Sequence, residues 1–440
     1  MRNIFKVSIA VGLALMLVFS GVQLGDMPDE STVEAAEVEI DFWYALGGDL
    51  RARTEELIDS FMEEHPDVYV DKVHRGSYAE ALTTAIASYR GGSPPYLTQV
   101  YEVGTMTMLD SGAIKPVYEL IDIDPEEFIG PVTEYYSVDG NLYSLPFNSS
   151  NPIMYYNKDM FEEAGLDPED SPETFAEVEE YSRQIIENTD AEAGFSTAWP
   201  SWILMENMHT WHDQPIADQA NGMEGYATEL YWNEDFGVEL LEKLGEWNEE
   251  DIYTYEGREG DPDPVFLGED VGMYMQSTAT LAGFMEDADF EVGTAKLPHM
   301  GGEYEVGNAL IGGGTIWAFD GHTEAEVEAM SDMLTFISQP ENQAWWHRNT
   351  GYLPVTHEAI EELEEEGWFE ENPNYETAIE QSTVYDDFSG LRLGNYTEIR
   401  DINLEELENF FAGDQTAQET ADNMVRRGNR VLERYRRTQQ

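Results

Sequence analysis

Apolar positions along the chain fall into two alternating periods. Residues 37–46 (EVEIDFWYAL) place an apolar side chain at every second position, the period of a strand with one buried face. Residues 49–65 bring Leu50, Leu57, Ile58 and Phe61 to one side at helical spacing. A strand at 68–73, a helix at 78–89 closed by Gly91 and Gly92, and a strand at 97–101 follow. Strand and helix repeating at this spacing predict a parallel α/β sheet, in which ligands bind beyond the carboxyl ends of the strands. That puts the loop after Ala45, Tyr78 and Glu102 near a potential site.

Downstream, strands are predicted at 142–146 and 152–156, flanking the polar Asn148, Ser149 and Ser150. Helices are predicted at 160–165 and 173–188, an aromatic-rich stretch of weak periodicity at 196–232, and a turn-rich loop at 257–264 (GREGDPDP). Buried strands at 271–276 and 309–319 precede helices at 323–337 and 340–348 and a largely helical end at 404–436. There is no solenoid-type repeat.

Charge changes the picture more than length does. In 440 residues, 90 Asp and Glu face 22 Lys and Arg, a formal charge of -68. Without a basic surface to displace phosphate counterions, nucleic acid is excluded as a partner, and an anionic membrane surface is unfavourable for the same reason. The acids are spread along the chain, which points to a surface adapted to salty, halophilic surroundings. At about 1 M salt the Debye length is roughly 3 Å and most self-repulsion vanishes. An apolar content of 41% still supports large cores. There are no cysteines, so disulfides, thiolate catalysis, Cys-ligated zinc and a lipobox are ruled out.

Arg2 and Lys6 precede an apolar run from 7 to 22, then an acidic spacer and a small-residue stretch ending in Ala35 and Ala36. Residues 1–36 are expected to be a signal peptide, with an uncleaved membrane anchor as the alternative. Either places the body outside the cytoplasm, in the periplasm or secreted.

Signatures of catalysis are sparse. His209 and His212 are the one close histidine pair, and no HExxH motif or third ligand completes a metal set. Carboxylate pairs are everywhere in so acidic a chain and single out no glycosidase site. The triplet Gly312, Gly313, Gly314 lacks the Lys and Ser/Thr of a phosphate-binding P-loop. Trp199 and Trp202 in AWPSWILMEN either wall a polyol or sugar site or pack in the core. Arg392 and Arg400 in GLRLGNYTEIR either clamp an anion or pair with surface acids.

At this point the motifs carry a resemblance. DFWYALGGDL, RGSYAEAL, QVYEVGTMTMLDSGAIKPVYELI, LPFNSSNPIMYYNKDMFEEAGLDPED, LIGGGTIWAF, WWHRNTGYLPVTHEA and GLRLGNYTEIRDINLEEL are collinear along nearly all of the mature chain. They resemble the periplasmic sn-glycerol-3-phosphate-binding proteins of ABC importers, extracellular solute-binding protein family 1.

The resemblance implies a two-lobed, periplasmic-binding-protein-like α/β fold with a hinge and a ligand cleft. Lobe 1 would hold 37–147 and 308–357, and lobe 2 would hold 148–307 and 358–440. It implies a monomer that captures sn-glycerol 3-phosphate or a glycerophosphodiester and docks on the transmembrane subunits of an ABC permease, with no catalytic residue, metal or cofactor. Ligand contacts carry over to Tyr78, Glu102, Ser150, Trp199, Trp202, Ser277, Gly313, Tyr352 and Arg400. Thr278 is an alternative to Ser277, because YMQSTATL is less well matched. Arg400 would supply positive charge, the serines and the Gly313 amide would serve phosphate oxygens, and Glu102 would accept from ligand hydroxyls. A sugar-binding protein of the same fold and a secreted glycoside hydrolase are the alternatives.

Overall fold

In the computed structural model, which describes residues 36–382 and 390–439, two mixed sheets share the chain. The expected signal peptide lies outside the described residues, apart from Ala36 at its end. The strands are β1 (Val38–Tyr44), β2 (Val68–His74), β3 (Leu97–Tyr101), β4 (Ile114–Lys115), a small hairpin β5 (Ser137–Val138) and β6 (Asn141–Leu142), β7 (Leu145–Ser150), β8 (Pro152–Asn157), β9 (Ala193–Thr197), β10 (Tyr253–Thr254), β11 (Val271–Ser277), β12 (Val292–Ala295) and β13 (Gly312–Phe319). The first sheet has the order β2-β1-β3-β13-β4, with β7 also paired to β13; the second has the order β10-β9-β11-β8-β12.

The parallel arrangement expected of the first three strands is found, and the later strands make the sheet mixed. β1 runs parallel to β2 and β3, whereas β13 is antiparallel to β3, β4 and β7. Direction of entry explains this. β1, β2 and β3 each run toward one sheet end, where Ala45, Tyr78 and Glu102 follow them. β13 begins at that same end, with Gly312 and Gly313 on arrival from the second sheet, and must run away from it.

A correction concerns Asn148–Ser150. The triplet is part of β7 and wholly buried, because Asn148, Ser149 and Ser150 pair in register with Gly314, Gly313 and Gly312. The glycine triplet opens β13. One residue, Asn151, separates β7 in the first sheet from β8 in the second.

Helices Gly48–Glu64, Tyr78–Arg90 and Glu324–Ser338 pack with the first sheet and its neighbours, and Phe175–Asn188 packs with the second. Each sheet has its own aromatic core, with Phe42, Tyr44 and Trp317 in one and Tyr155, Phe195 and Tyr274 in the other, all fully buried. The predicted terminal helix is two helices, Tyr396–Phe411 and Ala417–Thr438, packed on each other.

Candidate functional site

A cavity of about 360 Å³ lies where both sheets present their ends, and all nine residues carried over in the sequence line it. Ser277 lines it and Thr278 does not; Thr278 is buried beneath.

From the first sheet, Ser77 caps the helix Tyr78–Arg90 in a reciprocal capping box with Glu80, which fixes the position of Tyr78. Tyr78 stacks on Tyr101, ring centroids 5.3 Å apart. Its hydroxyl accepts from Asn148 Nδ2 at 2.9 Å, Asn148 Oδ1 accepts from Gln99 at 2.8 Å, and Gln99 Oε1 accepts from the Ala45 amide at 2.8 Å. Three strand ends are thereby tied into one floor. Gly313 has φ +85°, and a Cβ there would sit 1.7 Å from the Asn148 carbonyl oxygen, so only glycine fits. Tyr352 stacks on Trp346, and burial pushes its hydroxyl up to about 12.

From the second sheet, Pro200 opens a π-helical segment, Ser201–Asn207, that buries Trp202. Trp199, just before it, has φ +46°, and Glu259 has φ +50°; the Trp199 amide donates to the Glu259 carbonyl at 2.9 Å. Two bulky L residues in left-handed backbone, joined to each other on a cavity wall, store strain at the site.

Arg400, on the helix Tyr396–Phe411, is where the structure adds most. Its Nε donates to Glu206 Oε1 at 2.8 Å and its Nη2 to Glu206 Oε2 at 2.6 Å, a bidentate grip. The same Nη2 lies 2.6 Å from Glu102 Oε1. Burial works against the Arg400 charge, yet Glu206 and Glu102 outweigh it and keep the guanidinium protonated. Burial raises the Glu102 carboxyl above its usual range, with Arg400 pulling the other way. Ser201 Oγ donates to Glu206 and accepts from Asn403. Among the described residues Arg400 Nη1 has no hydrogen-bond acceptor. The positive charge expected of Arg400 is therefore already shared between two carboxylates.

Sequence reasoning missed Glu206. Its signal was a lone acid closing the apolar run Trp202–Met205, a pattern that a buried ion pair leaves. Also missed were Thr397, bound to Tyr101 across the cavity at 2.5 Å, and the acids Glu259, Asp263 and Asp401 on the wall.

Arg392 stays outside the cavity. It is buried and donates to the carbonyls of Glu134, Tyr135 and Ser137 at the end of the helix Gly130–Tyr136, where a cation suits the exposed carbonyls. His209 and His212 each bond back through Nδ1 to the carbonyl four residues earlier, and His212 Nε2 accepts from the Met300 amide. Burial lowers them to about 4 and about 3. Among the described residues no group of His, Cys, Asp and Glu could hold a metal ion, and no helix is long and apolar enough to cross a membrane.

Comparison with known proteins places this cavity in context. The family model of the bacterial extracellular solute-binding proteins matches residues 56–377. The sn-glycerol-3-phosphate-binding periplasmic protein UgpB of Pectobacterium atrosepticum is 37% identical over 411 residues, covering 91% of this chain and 92% of the relative. That of Salmonella paratyphi A is 36% identical, covering 97% of each. The crystal structure of UgpB from Mycobacterium tuberculosis in complex with glycerophosphocholine superposes with a TM-score of 0.76 at 20% identity, over 90% of this chain and 98% of that one. At that identity the likeness speaks for the two-lobed α/β fold alone. The chain belongs to the bacterial extracellular solute-binding proteins, the extracytoplasmic receptors of ABC importers, which bind and deliver a solute without transforming it.

Proposed function

We propose that the protein captures sn-glycerol 3-phosphate or a glycerophosphodiester in this cavity and hands it, as a monomer, to the transmembrane subunits of an ABC permease. The observation that carries the reading is the convergence of Tyr78, Glu102, Ser150, Trp199, Trp202, Ser277, Gly313, Tyr352 and Arg400 on one cavity from segments more than 300 residues apart. In this reading Arg400 Nη1, the serine hydroxyls and the Gly313 amide serve the phosphate, and the Trp pair covers the carbon face. Lobe 1 (37–147 and 308–357) and lobe 2 (148–307 and 358–440) close on the ligand by a hinge.

One observation favours a second reading, an uncharged sugar: Arg400 already has two carboxylate partners. A thermal-shift series in molar salt separates the two. The expected result is that glycerol 3-phosphate or glycerophosphocholine raises the midpoint and maltose does not. Ligand at 100 times its Kd adds about 2.7 kcal/mol to the folded state. In Arg400→Ala the ligand-induced shift should vanish. That shift is the readout, because stranding Glu206 and Glu102 itself costs on the order of 3–5 kcal/mol. A response to maltose alone, or an Arg400→Ala protein that still responds to glycerol phosphate, would overturn the phosphate assignment.

A further inference from the structure

Away from the cavity, one carboxylate takes two phenols from a distant part of the chain. Asp110 ends the short helix Thr105–Asp110. Its Oδ1 accepts from the Tyr226 hydroxyl at 3.0 Å and its Oδ2 from the Tyr435 hydroxyl at 2.7 Å. The two rings meet edge to face, centroids 6.2 Å apart, and the Met106 carbonyl oxygen lies 3.3 Å from the Tyr435 hydroxyl. None of these four residues lines the cavity. In the lobe assignment above, Met106 and Asp110 belong to lobe 1 and both tyrosines to lobe 2.

Each side of the contact is held by its own lobe. Tyr435 sits on the helix Ala417–Thr438, which packs on Tyr396–Phe411 and Asp235–Glu249. Its ring rests on Gly394, where a Cβ would stand 2.1 Å from Tyr435 Cδ1. On the other side, the helix that ends in Asp110 begins at Thr105, just past Glu102.

Local stability does not account for Asp110. A carboxylate at the C-terminal end of a helix faces the exposed carbonyls and is unfavourable there. Phenol hydroxyls donating to it offset that cost, because hydrogen bonds to a charged acceptor are the stronger kind. Packing does not account for Tyr226 either, since the residue is 36% exposed. The contact exists in the conformation in which Glu102 meets Arg400 and Tyr101 meets Thr397 across the cavity. A bond that spans the lobes there and breaks when they part adds to the population of that conformation.

Resting on the two-lobe reading above, we infer that Asp110, Tyr226 and Tyr435 form a latch outside the cavity that holds the lobes closed and so sets affinity without touching the ligand. Asp110 is the positioning residue, and the two phenols are what it holds. Apparent affinity scales with the fraction of protein in the binding-competent conformation. The latch therefore changes affinity by one common factor, whatever the cavity binds.

The test uses the whole protein in molar salt. Tyr226→Phe and Tyr435→Phe each remove one hydroxyl and nothing else, and Asp110→Ala removes the shared acceptor. In calorimetric titrations the Kd for glycerol 3-phosphate and for glycerophosphocholine should rise by at least about fivefold in Tyr435→Phe and in Asp110→Ala, equally for both ligands. Adding Tyr435→Phe to Asp110→Ala should cost less than about twofold more, because hydroxyl and acceptor act as a unit. A second readout needs no ligand. The chain has no cysteine, so Thr83→Cys on lobe 1 and Glu242→Cys on lobe 2, both exposed positions, take spin labels cleanly. Pulsed electron paramagnetic resonance should show longer distances between the labels in the three latch variants than in the labelled parent. Unchanged or tighter binding in the folded variants overturns the inference, as does an unmoved distance distribution. A loss confined to one ligand also overturns it, by tracing the effect to the cavity itself. If Asp110→Ala fails to fold, the two phenylalanine variants carry the comparison. Failure of both ligands to bind the parent would sink the proposed function, and the distances alone would then decide the latch.

Discussion

At the scale of single residues, two positions make the sharpest demands. Gly313→Ala would press a Cβ against the backbone oxygen of Asn148, which cannot rotate away, in a left-handed conformation that alanine disfavours. The expected loss is about 3 kcal/mol of stability, read as a lower denaturant midpoint, together with weaker ligand binding, because Asn148 also holds Tyr78. His347 is the other. Its Nδ1 donates to the Tyr352 carbonyl at 2.7 Å, its Nε2 is buried with no partner among the described residues, and burial lowers it to about 4. The unfolded chain takes up this proton near 6.5, and the folded chain does so only near 4. The stabilisation is therefore complete above pH 6.5 and lost as pH falls toward 4, at about 1.4 kcal/mol per unit of pH in that window. His347→Gln should be less stable than wild type at pH 7, and the gap should close by pH 4. A gap that stays constant across thermal melts in that window would count against the burial account. Among site residues, those that present a side chain to solvent-filled space were legible through motif likeness. Glu206 was not, because no motif likeness marked it, and its one signal, an acid closing the apolar run Trp202–Met205, is easily lost among 90 acids.

At the scale of elements, local rules served well and long-range ones could not be read. β3 falls where its apolar run places it, and the helices that open on S/T-x-x-E boxes at Ser77, Thr174 and Thr323 fall within the predicted spans, whereas the box at Thr416 marks a helix start that periodicity alone ran through. Ser77→Ala should cost about 1 kcal/mol, measured by thermal melting, and should loosen the end of the helix that carries Tyr78. The reversal of β13 had no local signal, since direction depends on which sheet the chain has just left. The strand identity of Asn148–Ser150 was hidden for a related reason. Its partners, the opening glycines of β13, lie more than 150 residues away. The π-helical segment Ser201–Asn207 was equally silent, because a wider turn leaves the composition of an apolar run unchanged.

For the whole molecule, periodicity supported an α/β chain, and family resemblance supported the grouping of distant residues around a cleft. The acid excess remains the dominant global property. Most of the ion pairs are at least partly exposed and contribute at most about 1 kcal/mol each, so the net repulsion of a chain at -68 is not balanced pair by pair. Stability should rise steadily from dilute buffer to about 2 M potassium chloride as the repulsion is screened. A melting temperature flat across that range would remove the halophilic reading. The buried trio of Arg400, Glu102 and Glu206 is shielded from the bulk ions, so the fold should respond to salt far more than the ion trio at the cavity does.

The strained Trp199–Glu259 pair has a consequence for anyone who breeds this protein for ruggedness. Left-handed backbone at a bulky residue costs on the order of 1–3 kcal/mol, and replacing the exposed Glu259 with glycine removes that cost at once. Trp199, by contrast, packs against the core, and its loss would cost more than the strain it relieves. A laboratory selection that rewards survival of heating and ignores transport will find Glu259 early. Its winners will be sturdier proteins missing a piece of the ligand wall, and only a screen that also demands uptake will keep that acid.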